Sequence, residues 1–465
     1  MTATLVPQRA LFAAHALLPE GWASDVLLAW NEAGSLTNVR GVDAATVAHL
    51  PRAAGPLIAG MPNLHSHAFQ RAFAGLSEYR SAGSGNDSFW TWRDLMYRFA
   101  LAVSPKQLED IATHLYIEML QAGHTSVCEF HYLHHDASGQ PYDDLAEMSL
   151  RLLAAAQRAG IGITLLPVLY QNAGFGALPP RADQRRFINS IDSLLRIVER
   201  IRAQGARAGV APHSLRAVAP HALAELVSGL DSIDKTAPIH IHIAEQAQEV
   251  QDCFAWSGQR PVQWLLDHAA VDARWCLVHA THMSDAETRA AASTGANVGV
   301  CPSTEANLGD GVFDAVGWAE ARGQWGIGSD SHASVGAAEE LRLLEYTQRL
   351  TRQQRNVLAS ARQAQVADQL WLAGASGGAC ASGRPVGAIE VGAQADFVVL
   401  DVSKALGGLS PAQVLANHVF ASHGRNSVRD VWVGGQQRIT CGRHALEGPA
   451  CERFVAARSQ LLHKV

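Results

Sequence analysis

An α/β fold, a (β/α)8 TIM-type barrel with a small β-sandwich domain built from both termini, is what this sequence predicts, and three observations point to it. From Leu57 onward, short apolar runs alternate with longer amphipathic segments of helical period. Eight such runs are present. Each ends in polar or acidic residues, the polarity of a barrel whose chemistry sits at the C-terminal strand ends while the opposite ends serve stability.

In chain order the barrel strands are expected at 57–64, Thr125–Tyr132, Ile161–Tyr170, Val210–Arg216, Pro238–Glu245, Trp275–His282, Ala296–Ser303 and Gly326–Asp330. At their ends stand His65 and His67, then Glu129, His131 and Tyr132, then His213 and Arg216, His242 and Glu245, His279, and last Asp330. A random scatter of 21 histidines would rarely obey that polarity. Outside the barrel, Thr2–Leu5, Val26–Trp30, Ala395–Asp401 and Val428–Gly434 read as short strands of the second domain, which divides the chain into 1–56, 57–384 and 385–465. Ala395-Asp396 ahead of Phe397-Val398-Val399-Leu400 reads as a turn feeding a buried strand. The Gly/Ser-rich stretch Ser81–Ser88, followed by Phe89-Trp90-Thr91-Trp92-Arg93, is expected to form a mobile loop over the barrel mouth. Gly374-x-x-x-Gly378 lies in a soluble helix-to-turn region, where membrane dimerisation is not credible.

A chain of 465 residues can bury a large core. Hydrophobic content of 48%, charged content of 17% and a formal net charge of −6 are those of a soluble globular protein and give no reason to expect nucleic acid or an anionic membrane as partner. No apolar stretch reaches the roughly 20 residues that span a bilayer, and no signal peptide is recognised, so the expected location is the cytoplasm. The cysteines are scattered without a CxxC pair and are expected to be reduced core thiols. The expected partner is a small-molecule substrate.

His65-x-His67 leaves the end of a strand, where residues i and i+2 share a face and two imidazoles converge on one point. In Ile239-His240-Ile241-His242, the histidine nearer the rim, His242, is the third expected imidazole, with His240 in a deeper supporting role; Asp330 is the expected carboxylate ligand. Three histidines and one aspartate suit Zn²⁺, one per subunit, with Fe²⁺ as the alternative. A metal so held brings the pKa of water toward neutrality, and hydrolysis follows. Asp330 is then placed to accept the water proton, Glu245 to pass a proton to a departing nitrogen, and His279 to direct the attack by a hydrogen bond, so that Glu245, His279 and Asp330 form the catalytic set. The target is an sp² carbon of an amide, amidine or aminated ring. The run Val210–Arg216 contains no lysine that could be carboxylated to bridge two metals, and the chain's lysines are Lys106, Lys235, Lys404 and Lys464, so one metal is expected. The cluster His131, His134 and His135 is assigned none.

These motifs resemble the amidohydrolase superfamily over nearly the whole chain: His-x-His after the first strand, histidines on the fifth and sixth, aspartate on the eighth, and Ala-Asp-Phe-Val-Val-Leu-Asp in the flanking domain. Within it the closer likeness is to the formimidoylglutamate deiminase branch, the iminohydrolases of histidine breakdown, carried by Met61–Arg71, Ser88–Arg93, Cys128–Tyr132 and Ala211–Arg216. The resemblance implies a (β/α)8 barrel, a homodimer, and release of ammonia from a substrate with two carboxylates. Guanidinium forks with neighbouring donors suit such a dianion, and Gln70, Arg93, Tyr132 and Arg216 are the candidates, with His213 implied to contact substrate near the scissile carbon. Two other readings stand beside this one: a deaminase of an aminated ring such as guanine, cytosine or a triazine, and a barrel without catalysis that serves as a binding protein.

Overall fold

The computed structural model describes residues 9–79, 89–402, 404–422 and 427–464. Its strands are β1 (Arg9–Leu18), β2 (Gly21–Trp30), β3 (Leu36–Gly41), β4 (Leu57–Ala59), β5 (Met61–Ser66), β6 (His124–His131), β7 (Gly162–Leu169), β8 (Arg207–Ala208), β9 (Ala211–Pro212), β10 (Ile239–Ile243), β11 (Trp275–His279), β12 (Asn297–Val300), β13 (Gln324–Ile327), β14 (Phe397–Leu400), β15 (Val428–Val433), β16 (Gln436–Thr440) and β17 (Arg443–His444). Strands β5 to β13 run parallel, and helices connect most successive pairs. Two bridges, Val210 to Ile239 and Ser214 to His242, join the fourth barrel segment to β10, and a third, Ser66 to Asp330, joins β5 to the end of β13. The parallel sheet therefore closes on itself, and its strands are buried on both faces because helices cover the outside.

The helices form where apolar residues recur at helical spacing. In Ile191–Arg202, Ile191, Leu194, Ile197, Val198 and Ile201 are buried along one stripe, Ser190 caps the N-terminus, and Asp192 and Arg200 complement the ends of the macrodipole. Helix Pro105–Gln121 starts at a reciprocal capping box between Ser104 and Gln107 with proline at the first turn.

The run expected as one barrel strand at 57–64 is two strands in different sheets. β4 pairs in parallel with β1 and antiparallel with β14, in an eight-stranded sheet of order β17-β16-β15-β14-β4-β1-β2-β3. The barrel strand proper is β5. Between them Gly60 passes so close to Thr125 that a Cβ would lie 2.3 Å from that side chain. The fourth run is also shorter than expected, two-residue strands around Gly209–Val210 rather than a strand to Arg216. The segment Phe89–Ala102, read in part as a loop, is a helix. Thr2–Leu5 and Ser81–Ser88 lie outside the described residues. All seven cysteines are free, but only Cys128, Cys253, Cys276 and Cys301 are core thiols; Cys441 and Cys451 are exposed.

The glycine pair of Gly374-x-x-x-Gly378 belongs to helix Val366–Ser382, which lies directly against the barrel. A Cβ on Gly377 would sit 1.8 Å from the Trp325 carbonyl oxygen, and one on Gly378 would press on Pro62 at 2.9 Å. Backbone contact with β13 and β5 is the reason for small residues here. Gly377→Ala is therefore expected to lower the thermal midpoint through a loss of about 1–3 kcal/mol, measured by calorimetry; an unchanged midpoint would show that the helix does not rest on β13 this closely.

Candidate metal and substrate site

Asp330 N donates to His65 O at 3.0 Å and His67 N donates to Asp330 O at 3.2 Å, so main-chain pairing sets His65, His67 and Asp330 against one another. Side chains alternate along β5, which sends both imidazoles to one side and Ser66 to the other. Asp330 Oδ1 lies 3.4 Å from His65 Nε2 and 3.2 Å from His67 Nε2. His242 arrives from β10 with its Nε2 3.0 Å from that of His65, which in turn is 3.1 Å from that of His67. All four residues are buried.

These contacts are not a satisfied set of hydrogen bonds. His67 Nδ1 donates to Phe130 O at 2.8 Å, and His242 Nδ1 donates to His213 O at 3.1 Å, so in neutral rings both Nε2 atoms present lone pairs. Between them His65 Nε2 has at most one proton to share. Burial, reinforced by His67, pushes His65 down to about 3, and burial together with His65 holds His242 well below the ordinary imidazole range, so the crowding is not relieved by protonation. Converging lone pairs with a carboxylate alongside are the donors that a divalent cation takes, and neutral imidazoles are the form that ligates. The residues fit a metal.

The backbone around this point is strained. Asp330 (φ 45°), His279 (φ 67°), Ala244 (φ 51°), Ala280 (φ 50°) and His332 (φ 61°) all occupy the left-handed region, each at a cost on the order of 1 kcal/mol or more. A buried network offsets that cost. Glu129 accepts from Ser66 Oγ and from Ala68 N, both at 2.6 Å, and from Tyr116 Oη at 3.1 Å. Asn63 donates to Ser329 Oγ at 2.6 Å and accepts from Ser329 N at 3.1 Å, while His332 lies 3.0 Å from Ser329 Oγ and 3.3 Å from Ser66 Oγ.

Glu245, His279 and Asp330 meet on one side of the ligand cluster. His279 Nε2 is 3.7 Å from Glu245 Oε1 and 3.8 Å from Asp330 Oδ2, and its Nδ1 is 3.3 Å from Glu305 Oε1. Burial disfavours charge on His279, but Glu245, Glu305 and Asp330 outweigh it and push the imidazole up to about 10. Burial pushes Glu245 up, against the pull of His279 and Arg216. Asp330 is held well below the carboxylate range, because the His65 and His67 imidazoles beside it outweigh its burial.

A cavity opens over the cluster, and Gln70, Arg93, Tyr132, His213 and Arg216 all line it with His67, His242, Glu245, His279 and Asp330. The structure thus brings together every site residue read from the sequence; His65 lies beneath, fully buried. Gln70 Nε2 donates to Tyr132 Oη at 2.8 Å. Arg93 projects from helix Phe89–Ala102 with its guanidinium 5.5 Å from the centre of the Tyr97 ring. Arg216 is nearly enclosed, with Nε 4.0 Å from Glu249 Oε1, and the carboxylates of Glu249 and Glu245 oppose the loss of its charge on burial. His240 reaches away to Ala381 O at 2.8 Å, and His134 and His135 contact the backbone carbonyls of Val168 and Ile188 at 2.9 and 2.7 Å.

Sequence reasoning missed Glu305, Asp310, Cys301 and the Asn63–Ser329–His332 network. Asp310 shares a buried group with Glu245 and His279, and burial together with the charge of Glu245 raises its carboxyl. Cys301 Sγ falls in a group with His279 and Asp330. The segment Cys301-Pro302-Ser303-Thr304-Glu305 at the end of the seventh strand was the available signal.

Residues 57–438 match the amidohydrolase family. The chain is 50% identical over 458 residues to a formimidoylglutamate deiminase of Pseudomonas aeruginosa, covering 97% of this chain and 99% of that protein. It is 24% identical to a 5-methylthioadenosine/S-adenosylhomocysteine deaminase of Thermodesulfovibrio yellowstonii, over 83% of this chain and 81% of that one. Among solved structures, an amidohydrolase from Brucella melitensis superposes with a TM-score of 0.91 at 48% identity, covering 97% of this chain and 99% of that chain. An adenosine deaminase from Xanthomonas campestris with bound zinc superposes with a TM-score of 0.77 over 97% of this chain and 98% of that chain, and at 23% identity shares the fold.

Removing a cation from this cluster leaves unsatisfied lone pairs in the barrel interior. Chelated protein is expected to melt several degrees below the metal-replete form, roughly the shift a tightly bound ligand supplies, and re-addition of Zn²⁺ is expected to restore the midpoint. Equal midpoints would contradict the donor reading.

Proposed function

The chain belongs to the amidohydrolase family, and from that membership we propose that it is a formimidoylglutamate deiminase, hydrolysing a C–N bond of N-formimidoyl-L-glutamate to N-formyl-L-glutamate and ammonia in histidine degradation. The observation that carries this reading is the presence of two guanidiniums, Arg93 and Arg216, in the same cavity as the His65, His67, His242 and Asp330 cluster. An amidine attached to a dicarboxylate needs both features. An aminated ring would find aromatic walls in this cavity but would bring no anion for the guanidiniums.

A divalent metal bound at His65, His67, His242 and Asp330 supplies Lewis acidity that brings the pKa of water toward neutrality. Asp330 Oδ2, on the side facing His279, takes the proton of the attacking water. His279 Nε2 directs the attack by a hydrogen bond, and Glu305 on its Nδ1 fixes the ring. Glu245, beside His279, hands a proton to the departing nitrogen, so that the C–N bond breaks with release of ammonia and the formyl C=O remains. His213 stands close to the ligand cluster, its ring 4.9 Å from that of His242, in position to contact the formimidoyl end, while Gln70, Tyr132, Arg93 and Arg216 hold the glutamate part.

The donor set of three imidazoles and one carboxylate supports Zn²⁺, one per subunit, with Fe²⁺ as the alternative. We further propose a cytoplasmic homodimer whose barrel, 57–384, carries the chemistry, with 1–56 and 385–465 supplying the two parts of the β-sandwich and a C-terminal segment, and with β4 assigned to the sheet it joins. Among the described residues no helix is long and apolar enough to cross a membrane.

Metal-replete protein is expected to release one ammonia and one N-formylglutamate per formimidoylglutamate, followed by coupled ammonia detection and chromatography. Formamide and glutamate as products, or faster turnover of cyclic amines, would contradict the proposal. Arg216→Ala is expected to lower kcat/KM by roughly a hundredfold, on the order of 3 kcal/mol for an unpaired carboxylate, mostly through KM and with metal content retained. Loss of metal in that variant would place Arg216 in the ligand support instead.

A further inference from the structure

Tyr97 and Tyr170 on the cavity wall, with Gln184 bonded to both, form a buried group that the mechanism above does not use. The orientation of the Gln184 amide is fixed, because its Oε1 accepts from Arg181 N at 2.8 Å. Its NH₂ therefore faces the phenols and donates to Tyr170 Oη at 2.8 Å and to Tyr97 Oη at 3.2 Å. Each phenol oxygen receives a proton and must direct its own elsewhere. The only hydrogen bonds these hydroxyls make among the described residues are the two they accept from Gln184, so their own O–H groups find no acceptor there. Burial raises the Tyr170 phenol far above its ordinary range, with Tyr97 adding to the rise, so that the proton stays.

Tyr97 and Tyr170 border the cavity together with Arg93 and Arg216. We infer that the Tyr97–Tyr170 pair, held by Gln184, is a specificity-determining donor site that binds one of the two substrate carboxylates alongside these guanidiniums. The identity of that carboxylate rests on the deiminase reading; the donor geometry does not. A buried O–H that pairs only with substrate rejects analogues lacking the acceptor, because binding them leaves the donor unpaired.

The test compares wild type with Tyr97→Phe/Tyr170→Phe on formimidoylglutamate and on its two monoamides, in which one carboxylate or the other is a carboxamide. On formimidoylglutamate the double variant is expected to raise KM roughly tenfold or more, as loss of a hydrogen bond to a charged group does, with kcat moved far less. On the monoamide lacking the bound carboxylate that penalty is expected to shrink to near nothing. An equal penalty on all three substrates would mean that the phenols only pack, and would overturn the inference. Gln184→Glu keeps both hydroxyls but turns them toward its own carboxylate, so KM is expected to rise again; an unchanged KM would also overturn it. Should wild type release no ammonia from formimidoylglutamate, the deiminase reading falls, and calorimetric titration with glutarate then reads the donor pair alone. Weaker glutarate binding in the double variant supports the pair, whereas equal or absent binding refutes it.

Discussion

Two main-chain hydrogen bonds, from Asp330 N to His65 O and from His67 N to Asp330 O, close the barrel, and the same bonds decide which side chains meet at its mouth. A register shift of one residue would send Ser66 inward and both histidines outward. With the register as it is, two imidazoles and a carboxylate are brought within hydrogen-bond distance before any tertiary packing adds a constraint, and β10 needs only to place one more ring. The fold and the site therefore share one interaction: what completes the sheet also completes the donor set.

Holding that arrangement has a structural cost, visible as left-handed backbone at Asp330, His279, Ala244, Ala280 and His332, and as three imidazole nitrogens crowded together with at most one proton among them. The surroundings over-determine the conformation. Glu129 ties Ser66 and Ala68, Asn63 ties Ser329, and His332 links the two sets, so β5 and the end of β13 are joined by side chains as well as by backbone. Above this rigid floor the cavity wall is made by other elements, helix Phe89–Ala102 and the segments after β6, β7 and β9, which carry guanidinium, phenol and amide groups. Most of the wall thus comes from parts of the chain other than the strand ends that carry the proposed metal donors, with Gln70, three residues past His67, on the same segment as two of those donors.

The proposed metal donors were legible in the sequence because each sits in a short motif at the end of an apolar run: His65-x-His67, His240-x-His242 and Gly328-Ser329-Asp330. Glu245 and His279 could be read for the same reason. The boundary between β4 and β5 could not, since Leu57–Pro62 carries no polar side chain and only Gly60, pressed on Thr125, separates two sheets. Arg93 was legible as a residue but not as a helical one, because aromatic residues after a Gly/Ser-rich stretch carry no helical period of their own. Glu305 and Asp310 reach His279 from a connection whose path depends on packing, and no spacing rule brings them there. The orientation of Gln184, fixed by the Arg181 backbone, has no trace in the sequence either.

In the proposed site His65, His67, His242 and Asp330 hold one metal, and the neighbouring thiol of Cys301, which burial keeps protonated, stays out of the shell. X-ray absorption at the metal edge, combined with elemental analysis of the purified protein, tests it most directly. One metal per chain is expected, with only nitrogen and oxygen bonded to it, and is expected to be lost in Asp330→Asn. Two metals per chain, or sulfur in the first shell, would contradict it.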